Sequence, residues 1–151
     1  ELYLYDNSIS SLIGLEGVPA LKKLHLRKNK IDKMEEEGLP ELPALEYINI
    51  RTNRLSKMED LFRLFSTYVT LTDANIINCP LELEYSSMNI LIAEVLGENP
   101  VLKRFCKETI TDRHKFEAHY LSKYKWEKAE VERKRKEAED AAKDAQDDDD
   151  A

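Results

Sequence analysis

The stretch LKKLHLRKNKI, residues 21 to 31, places apolar side chains at Leu21, Leu24, Leu26 and Ile31 and an asparagine at Asn29. Its Leu24-His25-Leu26 triplet alternates apolar and polar, as a short strand with one buried face does. Leu24 and Leu26 are therefore expected to point inward and His25 outward. The same frame, LxxLxLxxNxL, returns in ELYLYDNSI (1 to 9), LEYINIRTNRL (45 to 55) and LTDANIINCPL (71 to 81). Leu2, Leu24, Ile48 and Ala74 are then equivalent, at spacings of 22, 24 and 26 residues. Asn7, Asn29 and Asn53 form a column where each strand ends, and Cys79 takes that place in the fourth repeat. A side-chain amide there can satisfy backbone groups as the chain turns away from the sheet.

Self-similarity at roughly 20 to 29 residues with this frame marks leucine-rich repeats. A second apolar set fills the layer behind the strands: Leu12, Leu15 and Val18, then Met34, Leu39 and Leu42, then Met58, Leu61 and Leu64. The returns are expected to be short helices or turns. The fold class that follows is α/β, a leucine-rich-repeat solenoid with a curved parallel sheet, a C-terminal helical cap and a long charged exit helix. About four repeats occupy residues 1–83, the cap 84–111, the exit helix 112–139 and an acidic, disordered tail 140–151. The first repeat enters the frame without its opening Leu, so either earlier repeats or a partner is expected over that end.

The repeat is lost from Glu84, where Met88, Leu91, Ile92, Val95 and Leu96 fall at helical spacing before the Asn99-Pro100 turn. This helix and the run Val101, Leu102 and Phe105 are expected to cover the last strand. Beyond them Thr111 or Asp112 starts the exit helix, with Phe116, Tyr120 and Tyr124 at i, i+4 and i+8 and Leu121 beside them. That stripe is expected to pack back on the cap. Farther out the apolar face disappears. Residues 121 to 138 hold seven basic and four acidic side chains, a net of +3, and residues 139 to 150 hold seven acidic and one basic, a net of −6. Adjacent blocks of opposite charge read as a helix laid against other proteins, or as a solvated end.

The LxxLxLxxNxL repeats ending in CPL, the helix after them, PxLxxF, IT and a charged helix together resemble the cap of intracellular leucine-rich-repeat proteins of the phosphatase-regulator type. Within that group the exit helix looks most like that of the leucine-rich-repeat protein of the ciliary radial spoke, and a splicing-particle subunit has a similar cap. Phe105-Cys106 departs from the Leu-Asp that such caps often carry. The resemblance implies a non-catalytic scaffold of the ciliary axoneme, cytoplasmic, with other proteins of a large assembly as partners. The alternatives it leaves are a nuclear splicing ribonucleoprotein subunit, for which the basic stretch Lys123 to Lys136 speaks, and a phosphatase regulator.

Composition narrows the chemistry. Lys and Arg number 23 against 30 Asp and Glu, a net charge of −7, which speaks against nonspecific nucleic-acid or acidic-membrane binding. No run approaches the roughly 20 apolar residues of a membrane span, and no basic-then-apolar leader opens the chain. Cys79 and Cys106 are expected to be buried free thiols rather than a disulfide framework. His114 and His119 lie five apart, about 140° round a helix, so no metal site is expected. The four glycines are scattered and form no phosphate loop. Catalysis, cofactors and a small-molecule substrate are accordingly not expected.

Binding is expected instead on the concave face, where Tyr3, His25, Asn49 and Asn75 form one outward column, with Tyr5, Arg27 and Arg51 in the next and Lys28 in a third. Arg and Tyr combine contact area with directional polar groups, so Arg27 and Arg51 with Tyr5 are expected to hold an acidic or helical segment. On the exit helix Tyr120, Tyr124, Trp126, Arg133 and Arg135 are the candidates.

Overall fold

A computed structural model describes residues 1–35 and 39–149, with side chains as far as residue 141. Strands β1 (Leu2–Tyr3), β2 (Lys23–His25), β3 (Tyr47–Asn49) and β4 (Asp73–Asn75) pair side by side and parallel. Their register sets Leu2 against Leu24, Leu24 against Ile48 and Ile48 against Ala74, the equivalences read from the repeat frame. Leu24, Leu26, Ile48, Ile50 and Ile76 are fully buried, while Lys23 and Arg27 are exposed and His25 half-buried. Alternation along each strand thus separates a core face from an open face.

Asparagine joins successive turns. Asn53 Nδ2 donates to the carbonyls of Leu26 at 2.9 Å and Ile50 at 2.8 Å, and its Oδ1 accepts the Ile31 N–H at 3.0 Å. Asn29 repeats the arrangement one turn earlier, with Leu4, Leu26 and Ile9. Cys79 continues the column with its thiol, donating to the Ile50 carbonyl at 3.3 Å. The residue before each column member, Asp6, Lys28, Thr52 and Asn78, has φ of 61°, 56°, 56° and 60°. The turn therefore needs the left-handed region, which suits Asp and Asn and costs a β-branched Thr about 1 kcal/mol or more.

Of the expected layer behind the strands, Leu12, Met34, Leu42, Leu61 and Leu64 are buried. Val18 is not; it is 39% exposed in a turn, where Leu21 takes the interior place. Only the third return contains a helix among the described residues, α1 (Met58–Thr67). The buried carboxylate of Asp60 on α1 accepts the Met34 N–H at 2.8 Å, and Arg63 reaches the Met34 carbonyl at 2.6 Å. One return is thereby fastened to the next.

The end of the array differs from a purely helical cap. Helices α2 (Pro80–Glu84) and α3 (Met88–Glu98) follow β4, and α3 buries Leu91, Ile92, Ala93, Val95 and Leu96. The chain then adds β5 (Arg104–Phe105) parallel to β4, and turns back at once as β6 (Glu108–Thr109), antiparallel to β5. Cys106 and Lys107, with φ of 49° and 72°, form the two-residue turn. Two positive φ values match the right-handed twist of a tight hairpin. Leu102 and Phe105 enter the core as expected, whereas Val101 stands 50% exposed. Helix α4 (Asp112–Asp149) then leaves the cap, with the Thr111 hydroxyl accepting the His114 N–H at 3.4 Å. Its bounds run past residue 139, where the acidic tail was expected to begin, as far as Asp149; Asp150 and Ala151 lie outside the described residues.

Cys79 and Cys106 are both free and buried, and burial pushes both thiols up, that of Cys106 to about 12. At pH 8 neither should react with a chromogenic disulfide reagent in native protein, and both should react once urea unfolds it. For the asparagine column, Asn53→Ala should cost about 2 to 3 kcal/mol because it strands two carbonyls and an N–H. The exposed Asn7→Ala should cost less than about 1 kcal/mol. Urea unfolding followed by circular dichroism measures both.

Candidate protein-binding surfaces

The open face begins as an aromatic row. Tyr3 stacks on His25 with ring centroids 4.4 Å apart and an interplanar angle of 11°, and His25 meets Tyr47 at 5.0 Å. Tyr3 also contacts Tyr5 edge-on at 6.4 Å, and the Arg27 guanidinium lies 5.3 Å from the Tyr5 ring centre. Parallel pairing sets Tyr3 directly against His25, and Tyr47, the partner of Lys23, reaches His25 diagonally on the same face. Tyr3 and Tyr5 remain 57% and 49% exposed.

Polar groups fill the rest of the sheet. Asn49 and Asn75 turn their Oδ1 atoms to the backbone N–H groups of Arg51 and Ile77, at 3.2 and 3.0 Å. Those two candidates thus shape the strand ends, and Asn75 is buried. Lys28 sits in the left-handed turn beyond the strands, exposed. Arg51 is half-buried, and its Nε is buried without a hydrogen-bond partner, as is Nε2 of His25. Burial lowers the His25 pKa.

One outward column was not singled out in the sequence. Register places Lys23 against Tyr47, Tyr47 against Asp73 and Asp73 against Arg104. Arg104 Nε lies 3.6 Å from an Asp73 carboxylate oxygen, and the Thr72 hydroxyl donates to the other at 3.0 Å. Extending the alternation two residues before His25 finds Lys23, Tyr47 and Asp73. Arg104 belongs to the cap, where the repeat frame gives no register.

The exit helix packs through a different side from the one expected. Ala118 is buried and His114, Glu117 and Leu121 are half-buried against the cap. His114 reaches Asn89 at 3.3 Å, and Lys125 pairs with Glu94, both partners lying on α3. Phe116, Tyr120 and Tyr124 stand 62%, 58% and 54% exposed instead of covering the cap. At about 100° per residue their stripe lies roughly 130° round the helix from the middle of Ala118 and Leu121. Phe116 and Tyr120 pack on each other at 4.8 Å, and Lys128 lies 4.8 Å from the Tyr124 ring centre. Trp126, 67% exposed, falls outside this stripe. Arg133 bonds Glu130 and Glu137, and Arg135 bonds Glu132 and lies 3.5 Å from Glu139. These two candidates are thus engaged along their own helix.

Among the described residues no group of three or more His, Cys, Asp and Glu side chains could hold a metal ion, and no helix is long and apolar enough to cross a membrane. No protein-family model and no curated protein matches the chain. Among solved structures a clear likeness exists. A chain of the crystal structure of the Drosophila melanogaster SNF/U2A′ complex superposes with a TM-score of 0.65 at 24% sequence identity. The match covers 78% of this chain and 65% of the other. The fold is that of a leucine-rich-repeat protein: a mixed α/β architecture with a parallel sheet and a long C-terminal helix.

The lowered pKa of His25 has a consequence for stability with a definite sign. The neutral ring is favoured in the folded state, so stability is whole above the unfolded value of about 6.5 and is lost as the pH falls through it. Between pH 7 and pH 5 the urea midpoint of the wild type should drop more than that of His25→Gln. Parallel titrations of the two proteins measure the difference.

Proposed function

We propose that this chain is a non-catalytic scaffold, a structural subunit of the ciliary axoneme that belongs to the radial spoke. It binds partner proteins through the open face of its sheet and through its exit helix. The observation that carries the interaction reading is the continuous open face, where Tyr3, Tyr5, His25 and Tyr47 expose rings beside Arg27 and Arg51. Large rings beside guanidinium groups are the side chains that most often dominate protein interfaces. The exposed Phe116, Tyr120 and Tyr124 stripe provides a second surface on a helix that extends away from the repeats. The ciliary setting rests on the resemblance of the sequence of cap and charged exit helix to the leucine-rich-repeat protein of the radial spoke. The working location is the axoneme.

The second reading is a nuclear ribonucleoprotein subunit that holds an RNA-binding protein rather than RNA. It is supported by the likeness to a chain of the SNF/U2A′ complex and by the basic stretch from Lys123 to Lys136. Proximity labelling in a ciliated cell, with the labelling enzyme fused after Ala151, separates the two. Axonemal spoke components should be enriched. Splicing components without a ciliary signal would replace the first reading by the second.

A further inference from the structure

The open face carries its positive charge unevenly. At the end where β3, β4 and the β5–β6 turn meet, a groove of about 270 Å³ is lined by Tyr47, Asn49, Arg51, Asp73, Arg104 and Lys107 among others. Three of those six side chains are cationic and one is anionic. Asp73 is already occupied by Thr72 and Arg104, at 3.0 and 3.6 Å. Arg51 holds a buried Nε with no acceptor, although a guanidinium N–H out of water ordinarily has one. A local excess of +2 therefore stands in a chain whose net charge is −7. Tyr47, Asp73 and Arg104 also line the adjoining groove of about 390 Å³, which contains the Tyr3, His25 and Tyr47 rings. The two grooves thus adjoin across these three side chains.

We infer that this double groove binds an acidic segment of a partner protein. One carboxylate sits among Arg51, Arg104 and Lys107, and a neighbouring apolar or aromatic residue rests on the Tyr3–His25–Tyr47 row. The inference rests on the scaffold reading and names the partner chemistry of its open face. A carboxylate meets the accessible end of the half-buried Arg51 side chain, and a charge-assisted bond to guanidinium is roughly twice as strong as a neutral one. The aromatic groove is also lined by Glu1 and Glu46 beside Lys23, so it adds contact area and no preference for acid. Selectivity for acidic over neutral segments therefore resides at the Arg51 end. Arg27, already over the Tyr5 ring, is peripheral to this groove.

The probe is a short fluorescein-labelled poly-glutamate peptide carrying one tryptophan, with poly-glutamine and poly-lysine peptides of the same design and a short single-stranded RNA as comparisons. Anisotropy with the full chain should show glutamate binding weakening at high salt, with glutamine at least about 10-fold weaker. Arg51→Gln with Arg104→Gln should reduce glutamate affinity about 10-fold or more, while circular dichroism and the melting temperature confirm folding. Lys30→Gln with Arg54→Gln removes the same charge at exposed positions that line neither groove and should leave affinity unchanged. Equal loss in both double variants, equal binding of glutamine, or tighter binding of the RNA would overturn the inference. The scaffold reading is judged separately: if proximity labelling returns the same partners for wild type and for Arg51→Gln with Arg104→Gln, the scaffold stands and the acidic groove does not.

Discussion

The second and third repeats each depend on one amide reaching across to the turn before it. Backbone bonds between turns continue past the three-residue strands, as from the Lys28 N–H to the Arg51 carbonyl at 3.0 Å. Asn29 and Asn53 add bonds between turns where the ladder ends, and both are buried. Removing such a side chain leaves backbone groups without water or partner, so its loss costs more than its presence contributes. The left-handed residue just before it is the geometric counterpart: the chain must turn sharply for the amide to point inward. Lys28 and Thr52 accept an unfavourable φ because the following asparagine fixes the turn.

Where the column ends, the fold changes its means of closure. Cys79 gives a single weak thiol bond in place of the amide's several, and no further repeat follows. Helix α3 covers the core behind β4, and β5 with its antiparallel return covers the edge of β4 itself. A reversed last strand cannot template another parallel repeat, so the hairpin both satisfies β4 and stops the array. Pairing of β5 with β4 sets Arg104 beside Asp73, and the turn that follows brings Lys107 into the groove that Arg51 lines. Termination and charge placement are one structural event.

What was legible in the sequence follows from what is periodic. Leu2, Leu24, Ile48 and Ala74 were aligned by spacing alone, and the strands pair in that register. Arg104 and Lys107 were not legible, because a hairpin after a helix has no phase relative to the repeats. The exit helix shows a subtler failure. Phe116, Tyr120 and Tyr124 do share a helical face, but periodicity gives the stripe and not its azimuth. Ala118, the smallest side chain in the first turns, lets α4 approach α3 closely, and Leu121 follows on that side. Close approach at a small residue outweighed the greater area of the rings.

The exit helix is consequently two structures in sequence. Its first turns are held by packing on α3 and by the Lys125–Glu94 pair. From Trp126 to residue 141 no side chain is buried, and the visible interactions are ion pairs such as Glu130 with Lys134 and Arg133 with Glu137. Each exposed pair of this kind adds only about 0.3 to 0.5 kcal/mol and is weakened by salt. A helix so held is near the balance between ordered and frayed, and a small amount of added contact decides it. The exposed aromatic stripe sits at the junction of the two parts. A partner seated on Tyr120 and Tyr124 would therefore extend the packed region outward and fix the direction of the charged half that follows.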